Sequence, residues 1–383
     1  MDNFVVLYKQ RIVDAVERYN STLKTKIFYA VKCNPHPAIV QILADMNENF
    51  DCASIAEVKF VLQYTNDPSR VIFANPHCSE TDIQVLLGLG VSTFVVDSEW
   101  QLRAIVSANK AARVMLRLCP QSQDEQEVKL GVKFGATLAE AARLVLLTKQ
   151  LGGLLVGLCF HMGYPIGSAE SCVAQVEQCR IIGDLCAKNG FPVQIIDIGG
   201  GFVSESHRAQ KEVPGETFVQ KEIREFRLED FVKVVDAVKV AFPGAEICSE
   251  PGRFIVEDCM DYYVRADAVG ERIQVAGSVL SWYYRPLMFK HRIGLNLVSE
   301  CAGLEVDEII QKANQNRNVE VDTLSKPKLI VGNSGSKFDV FGETYQKVSK
   351  GDYFMAQYQG GYTFSVYNGN VPANYGDVSI ILK

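Results

Sequence analysis

Three short stretches carry residues able to do chemistry together. Lys32 ends the apolar run Phe28-Tyr29-Ala30-Val31. A lysine placed there is partly withdrawn from water, which lowers its pKa and suits its amine to imine formation. The same lysine could instead snorkel out of the strand end and keep its ammonium in solvent. Gly199-Gly200-Gly201 follows a second β-branched run, and Glu250-Pro251-Gly252-Arg253 follows a third. Bare glycine backbone offers N–H groups to an anion, and a guanidinium can form two parallel bonds to one. A triple glycine is also what a tight turn would use.

An imine-forming amine, an anion cradle and a buried acid together describe the needs of pyridoxal 5′-phosphate. Its aldehyde takes the amine, its phosphate takes the cradle, and an acid beside the pyridine nitrogen keeps that nitrogen protonated. Glu250 is placed to be that acid. His161, just past the run Leu154–Phe160, could stack on the ring, or be a hydrogen-bonded histidine with no further role.

The elements that must hold these residues alternate. Strands are predicted at Ile27–Val31, Phe50–Cys52, Val71–Ala74, Thr93–Val96, Arg113–Leu118, Leu154–Phe160, Gln194–Ile198 and Glu246–Ser249. Helical periodicity runs between them at Pro37–Met46, Ile55–Tyr64, Ser79–Leu89, Glu99–Ala108, Leu138–Gln150 and Ala169–Asn189. Such alternation implies parallel pairing, and eight strands are what close a (β/α)8 barrel, with an open doubly wound sheet as the rival. The residues just past the runs are Lys32, Ser54, Asn75, Asp97, Arg117, His161, Gly199-Gly200-Gly201 and Glu250. Polar groups or glycines at all eight strand ends favour the barrel, because barrel enzymes place their chemistry there.

Past about Phe254 the pattern changes to dense Tyr, Val, Gly and Trp, with helical periodicity only near Leu304–Gln315. The expected organisation is therefore a barrel domain at 9–254 and a mainly-β C-terminal domain at 255–383. The run Phe4–Tyr8 within residues 1–8 adds a strand to the β domain, and the polar stretch Lys312–Lys328 reads as a surface loop.

Composition excludes several classes. The 383 residues are 48% hydrophobic and 22% charged, ordinary globular usage rather than disordered, collagen-like or coiled-coil. A formal charge of −6 leaves no electrostatic footprint for nucleic acid or an anionic membrane. Met1-Asp2-Asn3-Phe4-Val5 lacks a secretory pattern, and Leu151–Phe160 is far short of the roughly 20 residues that span a bilayer. Eleven scattered cysteines include Cys172, Cys179 and Cys186 at seven-residue spacing. These read as buried free thiols on one helical face, not as a metal site or disulfides, and reduced thiols fit a cytoplasmic protein.

Several motifs together carry a resemblance. Tyr29-Ala30-Val31-Lys32-Cys33-Asn34, Phe50-Asp51-Cys52-Ala53-Ser54, Ala74-Asn75-Pro76, Val132-Lys133-Phe134-Gly135-Ala136-Thr137-Leu138, Asp197-Ile198-Gly199-Gly200-Gly201-Phe202 and Glu250-Pro251-Gly252-Arg253 resemble eukaryotic-type ornithine decarboxylase. That family has the alanine-racemase-like fold of pyridoxal-phosphate enzymes, an α/β barrel plus a C-terminal β domain. The resemblance implies that Lys32 holds the cofactor as an imine, Glu250 pairs with its ring nitrogen and His161 stacks on the ring. Gly200, Gly201, Arg253 and Tyr362 would bind the phosphate, while Asp51, Glu57 and Arg117 orient Lys32 and the ring. It also implies a homodimer with shared active sites, in which Lys133 and Asp339 form an ion pair between subunits.

The departures from the family concentrate in the substrate pocket. The family's His-Val-Gly-Ser-Gly is here His161-Met162-Gly163-Tyr164-Pro165, which loses a serine that touches the phosphate. Its Gly-Pro-x-Cys-Asp is Gly332-Asn333-Ser334-Gly335-Ser336. Gly335 thus replaces the cysteine that reprotonates the carbanion, and Ser336 replaces an acid that binds the distal ammonium. A second distal acid aligns with Arg285 in Tyr284-Arg285. Exchanging carboxylates for a guanidinium disfavours a distal cation and favours a distal acidic or neutral group. The expectation is an amino-acid decarboxylase with a substrate other than ornithine, contacted by Tyr284, Arg285 and Ser336. Two alternatives stay open. One is a catalytically inactive regulator like the antizyme inhibitors, favoured by the missing cysteine and opposed by the retained cofactor cradle. The other is an enzyme whose carbanion, with only Tyr164, Tyr284 or water to protonate it, is diverted to transamination or oxidation.

Overall fold

The computed structural model describes residues 3–120, 134–163, 166, 168–204, 227–277, 295–315, 323–334, 340–357, 361 and 379–383. The chain divides into two compact units, Val13–Ile255 and Met1–Ile12 with Val256–Lys383.

The larger unit is a closed parallel barrel. Its strands are β2 (Lys26–Ala30), β3 (Asn49–Cys52), β4 (Val71–Phe73), β5 (Thr93–Val96), β6 (Arg113–Leu118), β7 (Leu154–Phe160), β8 (Ile195–Asp197) and β9 (Glu246–Ser249), and β9 pairs back onto β2. The open sheet is thereby excluded. Among the described residues the helices of this part of the chain include α1 (Lys9–Leu23), α2 (Pro37–Asp45), α3 (Ile55–Thr65), α4 (Glu80–Gly88), α5 (Glu99–Ala108), α6 (Leu138–Leu151) and α7 (Ala169–Lys188), with α8 (Val232–Ala241) before the last strand. Local chemistry fixes their starts. Ser79 and Thr137 head capping boxes on α4 and α6, Ser54 caps α3, and Pro37 opens α2 where no backbone donor is needed.

Alternation decides which side chains fill the barrel. Phe28, Ile72 and Cys248 pack together inside, as do Val95, Met115, Val156 and Cys159, with Ile195 touching both groups. Residues two apart on a strand share a face. Arg117 therefore points inward above Met115, Asp197 above Ile195, and Glu250 above Cys248. Register puts Arg117 beside Cys159, Cys159 beside Asp197, and Asp197 beside Cys248, so these four form one layer.

The smaller unit is an eight-stranded sheet. Strands β10 (Met260–Val269), β11 (Arg272–Val275), β12 (Leu295–Val298), β13 (Thr323–Val331), β14 (Val340–Gln346) and β15 (Tyr353–Ala356) run in the order β12-β15-β10-β11-β13-β14. β1 (Asn3–Leu7) joins it between β10 and β16 (Ser379–Leu382). Helix α9 (Val306–Gln315) packs Ile309, Ile310 and Ala313 against Phe4, Tyr263 and Tyr353. The stretch Lys312–Lys328 corrects its reading as a loop: Lys312–Gln315 continue α9, and Thr323–Lys328 begin β13. Pro327 hid the strand, since proline cannot donate to a ladder, and it falls where the β13–β14 register shifts. All eleven cysteines are free thiols, ten of them buried. Among the described residues no helix is long and apolar enough to cross a membrane.

Candidate active site

At the C-terminal end of the barrel the chain leaves β2 through a tight turn, Val31–Cys33, which buries Val31 and Cys33 and turns Lys32 outward. Lys32 Nζ donates to Asp51 Oδ2 at 3.1 Å, and the Asp51 side chain is wholly buried. Glu57, in the first turn of α3, braces the end of β3. Its Oε2 accepts from the Ala53 N–H at 2.6 Å, while its own N–H donates to Ser54 Oγ. Burial raises the Glu57 pKa, and Asp51 raises it further.

The β9 end lies against the Lys32 turn. A Cβ on Gly252 would stand 2.8 Å from Cys33 Cβ, so only glycine lets the two loops approach this closely. Glu250, two residues earlier, is buried, and its pKa is raised well above the usual range. Burial is the main cause, followed by repulsion from Asp51 and Asp197; Lys32 and Arg117 oppose it. Arg253 opens the helical turn Arg253–Val256 with its Nε buried.

His161 Nδ1 accepts from the Gly163 N–H at 3.0 Å. Burial, with Arg117 and Lys32 nearby, pushes its pKa well down, so the ring is neutral and carries its proton on Nε2. Arg117 has Phe134 under its guanidinium, 5.1 Å from the ring centroid, and His77 tilts against the same ring at 5.3 Å.

The glycine turn connects these parts. Gly199 and Gly201 have φ of +72° and +102°, and their Cβ atoms would meet the carbonyls of Phe160 and Gly163 at 2.4 and 2.3 Å. The turn is thus required by packing, whatever it binds. Gly199 N–H donates to Asp197 Oδ1, Glu250 N–H donates to the Gly199 carbonyl, and no described residue accepts from Gly200 or Gly201 N–H. Phe202 anchors the far side, edge-on to Tyr19 and Phe231.

The structure therefore gathers Lys32, Asp51, Glu57, Arg117, His161, Glu250 and the glycine turn at one barrel mouth. The remaining strand-end residues do structural work: Ser54 caps α3, Asn75 braces Ala53 and His77, and Asp97 accepts from Gly135 N–H. Tyr362, Tyr284, Arg285, Ser336, Lys133, Asp339, Tyr164 and Gly335 lie outside the described residues. Sequence reasoning gave no separate role to Asp197, although alternation from Ile195 was enough to aim it inward.

Residues 9–257 match the family described as pyridoxal-dependent decarboxylase, pyridoxal binding domain. The chain belongs to this family. Similar members include the chloroplastic ornithine decarboxylase of Nicotiana glauca, 31% identical over 277 residues, which are 71% of this chain and 59% of that protein. Ornithine decarboxylase of Rattus norvegicus is 35% identical over 234 residues, 60% of this chain and 47% of that one. Antizyme inhibitor 2 of Xenopus laevis is 30% identical over 266 residues, 67% and 55% of the two chains. The chain spans about half the length of the curated relatives it matches. Solved structures share its fold. Paramecium bursaria Chlorella virus arginine decarboxylase aligns with TM-score 0.79 at 23% identity, covering 100% of this chain and 96% of that one. Lysine/ornithine decarboxylase of Vibrio vulnificus aligns with TM-score 0.77 at 21%, covering 100% and 94%.

The residues present fit the family's cofactor. Asp51 Oδ1 is buried without a hydrogen-bond partner among the described residues, the Gly200 and Gly201 N–H groups find no acceptor among them, and Lys32 supplies a primary amine at the same barrel mouth.

Proposed function

We propose that this chain is a pyridoxal 5′-phosphate-dependent decarboxylase that releases CO2 from the α-carboxylate of an amino acid. The observation that carries the reading is the Lys32–Asp51 pair, set among Arg117, His161 and Glu250 at the mouth of a closed barrel. Bound there, the cofactor supplies an electron sink for the carbanion left when CO2 departs. Lys32 is the amine for its aldehyde, and Asp51 holds Nζ in place. Glu250 keeps a proton at the ring nitrogen. His161 serves the ring face as a neutral imidazole, so it adds no competing positive charge. Gly200, Gly201, Arg253 and Tyr362 take the phosphate, and Arg117 and Glu57 support the Lys32–Asp51 pair.

The substrate pocket is proposed to favour a distal acidic or neutral group, on the strength of Arg285, Ser336 and Gly335 in place of two acids and a cysteine. The working form is proposed to be a homodimer, to be read by light scattering, and its free thiols support a cytoplasmic setting.

Borohydride treatment of protein saturated with pyridoxal phosphate, followed by peptide mapping, should find the adduct on Lys32. No adduct there overturns the assignment. CO2 release from a panel of amino acids should favour acidic or neutral distal groups, and a clear preference for ornithine overturns the altered pocket. Gly335 and the likeness to an antizyme inhibitor support a second reading, a regulator without chemistry. A protein that ignores added pyridoxal phosphate decides for that reading.

A further inference from the structure

Arg117 stands half-buried near the end of β6, and no acid at the barrel mouth holds its guanidinium. Among the described residues the side chain makes no hydrogen bond and no ion pair, whereas Lys32 is tied to Asp51 at 3.1 Å. What the guanidinium does meet is an aromatic ring: its Cζ lies 5.1 Å from the centroid of Phe134.

Backbone bonds fix where that ring stands. Ala136 N–H donates to the Arg117 carbonyl at 2.8 Å, and Cys119 N–H donates to the Ala136 carbonyl at 2.9 Å, so Ala136 bridges in parallel onto the end of β6. Gly135 N–H donates to Asp97 Oδ2 at 2.8 Å, which ties the same segment to the end of β5. Gly135 has φ of +100°, and a Cβ there would meet Cys119 N at 2.6 Å, so backbone lies directly against backbone. His77 tilts against the ring at 5.3 Å. Ring and guanidinium thus hang from one short ladder.

An aromatic face attracts a cation through its quadrupole and offers no lone pair, so the N–H donors stay available. A carboxylate in the same place would take those donors and cancel the charge. Arg117 seated on Phe134 keeps both for a ligand. We propose that Phe134 is a positioning residue that holds the Arg117 guanidinium on its ring face, at a place set by the Gly135–Asp97 bond and the Ala136 ladder, with the N–H donors open toward the cofactor site. The proposal rests on the reading of Arg117 as part of that site.

Equilibrium titration of the apoprotein with pyridoxal 5′-phosphate, read by absorbance, tests it. Phe134→Leu keeps apolar bulk and loses the aromatic face, while pentafluorophenylalanine in place of Phe134 keeps the shape and removes the negative face. Both should weaken affinity about three- to tenfold. Wild-type affinity in either one overturns the role of the ring face. Phe134→Leu combined with Arg117→Gln should bind no worse than Arg117→Gln alone, because the ring acts through the guanidinium. Losses that multiply overturn the positioning role. Urea unfolding of the same apoproteins reads the contact independently of the cofactor. The double variant should be destabilised by less than the two single variants together, and full additivity overturns the contact. Wild-type protein that binds no cofactor overturns the reading on which the proposal rests, while the unfolding cycle still decides whether Phe134 holds Arg117.

Discussion

Lys32 Nζ meets Asp51 Oδ2 at 3.1 Å across an ion pair whose lysine side chain is 42% exposed and whose aspartate is 0% exposed. The asymmetry separates function from stability. An ion pair with one well-solvated partner contributes about 0–1 kcal/mol to folding, because the lysine loses little by returning to water. Asp51 also repels Glu250 and Asp197, so removing its charge relieves that repulsion. Asp51→Asn should leave the melting temperature unchanged or slightly higher, yet reduce borohydride-trapped adduct at Lys32. Parallel calorimetry and peptide mapping check both halves.

Gly201 leaves no room for a side chain. At φ +102°, its added Cβ would sit 2.3 Å from the Gly163 carbonyl and 2.8 Å from Ile166 Cγ1. Gly201→Ala should destabilise the protein by about 1–3 kcal/mol, the usual cost of forcing such a backbone. Urea unfolding measures this, and cofactor affinity should fall with it.

Phe202, which follows the glycine turn, should set the turn's position from behind. It is 1% exposed and packs edge-on to Tyr19 at 5.3 Å and to Phe231 at 5.2 Å. Phe202→Ala should cost about 3–5 kcal/mol. Phe202→Leu should recover much of that stability, as thermal unfolding of the two variants would show.

Asp197 gives the pH dependence. Burial pushes its pKa up from 3.8 to about 7, with Asp51 adding to the rise. The folded protein therefore favours the protonated acid more than the unfolded chain does. The stabilisation is complete below pH about 4 and is lost as pH rises through about 7. His161 acts with the opposite sign, since its lowered pKa costs stability as pH falls below about 6.5. The difference between wild type and Asp197→Asn reports the titration of Asp197 together with the Glu250 carboxyl that interacts with it. Melting of the apoproteins should show the amide gaining on the wild type from pH 5 to pH 8.

Much of this site was legible as spacing. Thr93–Val96, Arg113–Leu118, Leu154–Phe160 and Glu246–Ser249 form strands with the expected ends, because β-branched runs bounded by helix caps carry local information. Alternation then aims Arg117, His161 and Glu250 into one mouth. Lys312–Lys328 misled for the opposite reason: a polar strand with a central proline looks like a loop, and only its partner β14 makes it a strand.

The chain alone determined the alternating pattern, the amine, the acid, the glycine turn and the family motifs, all of which are local in sequence. Only tertiary structure decided that β9 closes on β2, and that Asp197, Asp51 and Glu250 share two cations. The pKa of a carboxyl depends on which charges surround it and how little water reaches it. Lys32, Asp51, Arg117, Asp197 and Glu250 are scattered across more than two hundred residues of sequence and become neighbours only when the barrel closes.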